Sequence, residues 1–245
     1  MITRRHAVSL SVKGVAALMA SVPHLPGCTR HRARLDSSAA VPPGPTTGVQ
    51  RMDWAGFVQS LSVLADEQFS AGWDQASHVQ EVQALMQLLD LDDAKFEDVY
   101  DGYASAERVF PAIKSVHHGG HFSVASLEFD PGDEIRLHNH PDMTGVILCL
   151  SGSIEVEAFN LLPTPSANGK LLMEQVLQEK LTPGVFATLT AEHGNIHRLV
   201  ATEYTELLDV FTPPYDKERM TRYRWYERAD EPIDGGVVFE AWERV

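Results

Sequence analysis

The amino-acid sequence predicts a mainly β protein, a closed β-sandwich or barrel, preceded by two α-helices. From about Val109 onward, segments of five to eight residues alternate apolar and polar side chains and are separated by Gly and Pro. Many short strands at regular spacing are typical of sandwiches and barrels. Before Val109, apolar residues instead recur at helical spacing. The chain therefore divides into a helical part and a β part.

The helical part is predicted over residues 51–108. Trp54 and Phe57 begin one apolar stripe, and a second helix is predicted from about Ser77. Ser77 and Gln80 have the spacing of a capping box, in which two side chains satisfy free backbone N–H groups at a helix start. Neither helix carries a constellation of reactive side chains, so we expect both to be packing helices.

The β part is predicted over residues 109–245, and it contains seven well-marked strands. They are Phe122–Phe129, Gly145–Leu150, Ser153–Leu161, Lys170–Lys180, Val185–Leu189, Arg198–Thr202 and Glu206–Phe211. Gly- and Pro-containing turns separate several of them. The segment Pro163–Gly169 is predicted to be a longer surface loop.

Composition excludes several classes of protein. The chain has 245 residues, of which 44% are hydrophobic and 22% charged, as in ordinary soluble domains. Its formal net charge of -14 disfavours a nucleic-acid partner, which would need clustered basic residues. Two cysteines, Cys28 and Cys149, are too few for a disulfide framework. Cys149 lies in a predicted strand as a small buried side chain, and we expect a monomer.

Residues 1–28 are predicted to be an export signal. A short apolar run, Gly14–Val22, follows basic residues and is too short to span a bilayer. The pair Arg4-Arg5 resembles a twin-arginine signal, and Cys28 ends a segment that resembles a bacterial lipoprotein box. The protein is then exported, periplasmic or anchored to a membrane through a lipidated Cys28, and otherwise cytoplasmic. Residues 29–50, rich in Ser, Pro and Gly, are predicted to be a flexible linker.

A pair of histidines, His138 and His140, is the sharpest chemical signal in the β part. Residues i and i+2 of a strand point to the same face, so both imidazoles can reach one metal ion inside a barrel. With Gly132 before and Gly152 after, the segment resembles the first cupin motif. This resemblance implies a cupin double-stranded β-helix, a jelly-roll barrel. Many cupins add a glutamate ligand where this chain has Gly145, so the site is predicted to lack a carboxylate.

Four segments in the right order extend the resemblance to a family. They are His138–Thr144, Gly194–His197, Leu208-Asp209 with Pro213–Tyr215, and Arg222–Tyr226. Together they resemble the plant cysteine oxidase and cysteamine (2-aminoethanethiol) dioxygenase family of cupin-type thiol dioxygenases, over roughly residues 109–228. The resemblance implies that His197 is the third metal ligand and that His193 is an exposed neighbour.

The same resemblance implies the chemistry. Imidazole suits iron, zinc and copper alike, and the family implies Fe(II). Both atoms of O2 would go onto the sulfur of cysteine, cysteamine or a peptide with an N-terminal cysteine, giving a sulfinic acid. Asp209 would accept a hydrogen bond or proton from the substrate, and Tyr215 would position the thiol or oxygen. Without the family, Asp209 could equally satisfy buried backbone donors, and Tyr215 could anchor a turn.

Alternative functions stay open at this point because cupins host many activities. The alternatives are a cupin isomerase, a dioxygenase of carbon substrates, and a non-enzymatic cupin that binds a metal or small ligand. A second histidine cluster, His117–His121, fits the lead-in to a strand, and the resemblance assigns no ligand to it. The identity of the thiol is not visible in the sequence.

Overall fold

The structure, a computed structural model, describes residues 51–94, 97–98 and 113–244. The predicted export signal, residues 1–28, and the predicted linker, 29–50, lie outside the described residues. Within the described ranges, no helix is long and apolar enough to cross a membrane.

Three α-helices are present in the described ranges. They are α1 (Trp54–Glu67), α2 (Gln75–Leu88) and α3 (Lys217–Arg222), with short 3-10 turns at Leu91–Asp93 and Ile233–Gly235. Helices α1 and α2 correspond to the two predicted packing helices.

The start of α2 differs from the prediction. Its N-cap is Asp74, whose carboxylate accepts a hydrogen bond from the backbone N–H of Ser77 at 2.8 Å. The hydroxyl of Ser77 also donates to Asp74. The capping box predicted from Ser77 and Gln80 is therefore wrong, because an equally good capping residue lies three positions earlier and already occupies the helix end.

The described residues contain twelve strands. They are β1 (Glu97–Asp98), β2 (Ile113–His118), β3 (Ser123–Phe129), β4 (Glu134–Asn139), β5 (Thr144–Ser151), β6 (Ile154–Leu161), β7 (Leu171–Leu181), β8 (Phe186–Leu189), β9 (Ile196–Ala201), β10 (Thr205–Thr212), β11 (Trp225–Arg228) and β12 (Val238–Arg244). The seven predicted strands are all present, with ends within two residues of the prediction. Strands β1, β2 and β12 had not been predicted, and β1 falls in the range predicted to be helical.

The strands form two antiparallel sheets. The first has the order β1-β2-β3-β10-β5-β8, and the second, β11-β12-β7-β6-β9-β4, closes on itself where Trp225 lies opposite His138. Buried apolar side chains of both sheets, among them Phe129, Ile147 and Leu199, meet in one core cluster. The predicted fold, a mainly β cupin barrel preceded by two packing helices, is confirmed.

Strand β10 shows how the two faces of the first sheet are used. Leu208 and Val210 pack in the cluster that contains the apolar faces of α1 and α2. Leu207 belongs to the core cluster between the sheets. Because side chains alternate along a strand, Asp209 and Phe211 share the face of Leu207 and point into the barrel. The helices thus cover the outside of the sheet whose inside carries Asp209.

Candidate metal centre

Three buried histidines converge inside the barrel. The Nε2 atom of His140 lies 2.9 Å from Nε2 of His138 and 3.0 Å from Nε2 of His197, and the remaining pair is 3.2 Å apart. Each residue is at most 4% exposed. Over the part of the chain that the structure describes, no other group of three or more His, Cys, Asp or Glu side chains is arranged in this way.

Two neighbouring strands bring the histidines together. His138 in β4 lies directly opposite His197 in β9. His140 follows Asn139, the last residue of β4, so the spacing of two residues still aims both imidazoles at one point. His197 is the second residue of β9, which begins at Ile196. The strand had been predicted to begin at Arg198, directly after His197.

Hydrogen bonds at the outer nitrogens orient two of the rings. Nδ1 of His138 lies 2.7 Å from the carbonyl oxygen of Arg136. A carbonyl can only accept, so Nδ1 of His138 carries the proton and its Nε2 presents a lone pair to the centre. Nδ1 of His140 lies 2.7 Å from the hydroxyl of Tyr215. Outer partners of this kind are typical of histidines that bind metals.

The electrostatics of the three rings favour their neutral form. Burial lowers the pKa of His138 from 6.5 to about 4. Burial, together with the neighbouring rings, also lowers the pKa values of His140 and His197 well below 6.5. Neutral imidazole is the form that binds a metal ion, so the site is already in its binding state at neutral pH.

The nitrogen distances fit a single metal ion. Three nitrogens bonded at about 2.0–2.1 Å to one ion lie roughly 2.9 Å apart at right angles and roughly 3.4 Å apart in a tetrahedron. The observed spacings of 2.9, 3.0 and 3.2 Å fall within these limits. A cation at the common point would also relieve the repulsion between lone pairs that face one another.

A side-chain amide, that of Asn195, holds the backbone of His140. Its Oδ1 accepts from the His140 N–H at 3.2 Å, and its Nδ2 donates to the His140 carbonyl at 2.7 Å. The same Nδ2 donates to the carbonyl of Thr190 at 3.0 Å. No role of Asn195 was predicted from the sequence, although this residue precedes His197 by two positions. An amide is the side chain that can donate to and accept from one backbone unit.

Aromatic rings enclose the centre. The ring of Phe211 stacks on His140 with centroids 5.0 Å apart. Tyr223 and Trp225 contact His138 at centroid distances of 5.7 and 5.3 Å. Asn139 supports this wall, because its side chain accepts from the Arg224 N–H at 2.6 Å and donates to a neighbouring carbonyl.

Gly145, at the position where many cupins have a glutamate ligand, is closely surrounded by side chains. A Cβ atom on Gly145 would lie 3.1 Å from side-chain atoms of both Leu189 and Phe211. An acidic side chain at this point of β5 would therefore require Leu189 and Phe211 to shift by a few tenths of an ångström. Among the described residues, the group of side chains that could hold a metal ion consists of histidines only.

Comparison with known proteins decides the family. The family model described as PCO_ADO matches residues 84–237, which is more than half of the chain. The chain belongs to the PCO_ADO family. The family membership inferred from the motifs is thereby confirmed.

Relatives of the chain include proteins of a plant and of an animal. Plant cysteine oxidase 2 of Arabidopsis thaliana is 31% identical over 126 residues, which cover 49% of this chain and 46% of that protein. The 2-aminoethanethiol dioxygenase of Mus musculus is 28% identical over 133 residues, which cover 46% of this chain and 52% of that protein. The chain thus spans about half the length of these two relatives.

One solved structure shows distant similarity to the chain. KdgF from Halomonas sp. is 20% identical, with a TM-score of 0.34, and the match covers 53% of this chain and 94% of that one. The fold assignment therefore depends on the strand order and on membership of the PCO_ADO family.

Asp209, an expected site residue in this PCO_ADO member, is buried in the barrel. It is 4% exposed, and its Oδ1 has no hydrogen-bond partner among the described residues. Burial raises the pKa of this carboxyl well above 3.8. The Oδ1 atom accepts no hydrogen bond from a backbone N–H group. The alternative that Asp209 serves only to satisfy buried backbone donors is therefore not supported at this atom.

Tyr215 lies against the centre through its hydroxyl. The hydroxyl contacts Nδ1 of His140, on the side of the ring away from the converging Nε2 atoms. Burial, and secondarily the charge of Asp209, raise the pKa of Tyr215 well above 10. The structure thus makes Tyr215 a partner of His140, while its contact with a thiol or oxygen stays a prediction.

Other histidines and Cys149 lie apart from the cluster of three. His193 is exposed in the turn before β9, where its backbone bonds to Thr190. Cys149 is 1% exposed, and burial raises the pKa of its thiol. It is a small buried side chain, as predicted.

The cluster His117–His121 forms separate contacts. His117 packs edge-on against Trp54 with centroids 5.3 Å apart. His121 pairs with Asp66 through contact of Nδ1 and a carboxylate oxygen at 2.6 Å. The two residues have different partners at the end of β2 and in the following turn, and neither belongs to the three-histidine group.

Proposed function

We propose that the protein is an iron(II)-dependent thiol dioxygenase. It adds both atoms of O2 to the sulfur of cysteine, cysteamine or an N-terminal cysteine and yields a sulfinic acid. The observation that carries the proposal is the convergence of three neutral imidazoles in a member of the PCO_ADO family. Curated relatives in this family are named as a cysteine oxidase and as 2-aminoethanethiol dioxygenases.

The metal would be held by Nε2 atoms of His138, His140 and His197. Iron is proposed from the family, since three imidazoles would accept zinc or copper as well. When bound, Fe(II) supplies positive charge that stabilises a thiolate and a redox centre that exchanges electrons with dioxygen. Three neutral ligands leave both positive charges uncompensated, which favours an anionic substrate over a neutral one.

The chain's own residues orient and protect the reactants. The Tyr215 hydroxyl fixes the His140 ring by accepting from its Nδ1–H. The wall of Phe211, Tyr223 and Trp225 excludes water from the centre, which strengthens every electrostatic interaction inside it. The free Oδ1 of Asp209 accepts a hydrogen bond from the substrate, and it is a stronger base than an exposed carboxylate because burial raises its pKa.

The reaction balances without another reductant. The S–H bond of the thiol is replaced by two bonds from sulfur to oxygen, and both oxygens come from one molecule of dioxygen. The sulfur is oxidised as dioxygen is reduced, and the proton is retained by the sulfinic acid or released to water. No residue of the protein needs to change its oxidation state.

An oxygen electrode and mass spectrometry test the proposal. Protein loaded with iron under anaerobic conditions is mixed with cysteine, cysteamine or a peptide with an N-terminal cysteine. We expect oxygen uptake with at least one thiol, and a product that carries two labelled oxygen atoms when isotopically labelled dioxygen is used. The His138→Ala variant and zinc-loaded protein should show neither. Absence of uptake with every thiol at full iron occupancy would contradict the proposal and favour a non-enzymatic cupin.

A further inference from the structure

We infer that Gln68, directly after α1, and His78, in α2, are positioning residues of the candidate metal centre. They hold Thr212 at the end of β10, and Thr212 leads directly to Tyr215, whose hydroxyl contacts His140. The inference builds on the metal centre of the proposed function and is independent of which substrate is oxidised there.

The contacts are specific and buried. Nε2 of Gln68 donates to the carbonyl oxygen of Thr212 at 3.0 Å. Nε2 of His78 lies 2.8 Å from the hydroxyl of Thr212. Gln68 is 8% exposed, His78 4% and Thr212 1%. The carbonyl of Thr212 therefore has a partner directly after α1, and its hydroxyl has a partner in α2.

Gln68 also reaches the neighbouring strand. Its Nε2 lies 3.4 Å from the hydroxyl of Thr144, which pairs directly with Thr212 across β5 and β10. Thr144 is four residues after His140, and Thr212 is three residues before Tyr215. A single amide thus touches the ends of both strands from which the His140 turn and the Tyr215 segment emerge.

Apolar packing alone does not explain these polar side chains. The helices already bury an apolar interface against the outer face of the first sheet. Burying an amide or an imidazole there costs free energy unless its hydrogen bonds are made. Gln68 keeps an unpartnered Oε1 among the described residues, and Phe69 after it has a left-handed backbone with φ of 69°. Both features cost free energy. We expect such a cost to be retained where the Gln68 amide must hold Thr212 in place.

The consequence for the centre is geometric. The 2.7 Å contact between Tyr215 and His140 requires the Tyr215 hydroxyl to stay within a few tenths of an ångström of its position. The intervening residues are Pro213 and Pro214, whose restricted backbones transmit a displacement of Thr212 to Tyr215. Gln68 and His78 therefore act on His140 through Thr212 and Tyr215, and they touch neither metal nor substrate.

The test is the metal affinity of the full-length Thr212→Val variant. Valine keeps the shape of threonine and removes the hydroxyl that contacts His78. We expect Co(II) affinity, measured anaerobically by competition with a coloured chelator, to fall about 5- to 10-fold, which is at the low end of the loss that follows removal of a direct partner of a metal ligand. The visible spectrum of bound Co(II) should shift as well, and Thr212→Ser should restore both properties. Affinity within about twofold of the wild type would overturn the inference.

A matched control separates positioning from general destabilisation. Val82→Ala truncates an apolar side chain of α2 in the same helix–sheet interface, which is 1% exposed and has no polar atom that could bond to Thr212. At an equal loss of melting temperature, Val82→Ala should leave Co(II) affinity and spectrum unchanged. An equal effect of Val82→Ala would show that Thr212→Val acts through stability alone and would overturn the inference.

A double-mutant cycle covers the case in which Thr212→Val folds poorly. His78→Gln is combined with Tyr215→Phe, and the changes in Co(II) binding free energy are compared with the single changes. Because the proposed route runs through Tyr215, the two effects should be strongly non-additive. Full additivity would contradict the route. If the wild-type protein binds Co(II) but its iron-loaded form oxidises no thiol, only the proposed function is contradicted. If the wild type and the variants bind Co(II) with the same affinity, only this inference is contradicted.

Discussion

The hydrogen bond between Tyr215 and His140 offers the sharpest test of the centre. Tyr215→Phe removes a single oxygen atom and keeps the ring that packs against Phe211 and Tyr223. In the metal-bound protein, Nε2 of His140 would face the metal, so Nδ1 must carry the proton. In the Tyr215→Phe variant, this Nδ1–H group would lack its acceptor, the hydroxyl that lies 2.7 Å from Nδ1 in the wild type.

The expected size of the effect follows from burial. His140 is 2% exposed, so water does not readily replace the hydroxyl. A buried donor left without its partner costs about 1–3 kcal/mol. Since about 1.4 kcal/mol corresponds to a tenfold change in an equilibrium constant, iron affinity should fall roughly 5- to 100-fold. The metal-free protein should be affected less, because His140 can then change its tautomer.

The assay is anaerobic competition of the protein with a chelator for Fe(II). Tyr204→Phe is the matched control, because it deletes the same atom from a half-exposed tyrosine whose hydroxyl contacts Glu206. Its iron affinity should equal that of the wild type. An unchanged iron affinity for Tyr215→Phe would refute the argument that this hydroxyl orients a metal ligand.

Three further predictions concern stability, ligands and export. The free energy of unfolding of the metal-free protein should fall as the pH falls below 6.5, because a histidine whose pKa is lowered by folding takes up its proton more readily in the unfolded chain. The pKa of His138, lowered from 6.5 to about 4, accounts for about 3 kcal/mol of this loss. A free energy of unfolding that is the same at pH 7 and pH 4 would contradict the prediction. His197→Ala should abolish bound metal in elemental analysis and His193→Ala should not; equal metal content in the two variants would remove His197 from the ligand set. Cys28→Ala should move the protein from the membrane to the soluble fraction, and unchanged partitioning would exclude lipidation.

Local patterns were sufficient for much of the fold and part of the site. Alternating side chains located seven strands because pleating has a period of two residues. The same period places His138 and His140 on one face. His197 depended on the family resemblance, because it is 57 residues from His140 in sequence and strand pairing is not a local property.

The parts that could not be predicted depend on distant partners. Gln68 and His78 meet Thr212 across 144 and 134 residues, and helical periodicity can indicate only that they are buried. The helix start at Asp74 was missed because two capping residues compete within three positions. The bond between Tyr215 and His140 depends on how the chain turns after β10, which no repeat or spacing encodes.

The packing around Gly145 has an evolutionary consequence. A Cβ atom at position 145 would lie 3.1 Å from side-chain atoms of Leu189 and Phe211, and Phe211 is also the ring stacked on His140. A single Gly145→Glu substitution would therefore displace Phe211 and, through it, disturb the His140 ring. A fourth ligand at position 145 would require Leu189 and Phe211 to shift or to become smaller, and a smaller residue at position 211 would lose the ring that stacks on His140. The three-histidine state is thus easy to keep and hard to leave by single substitutions.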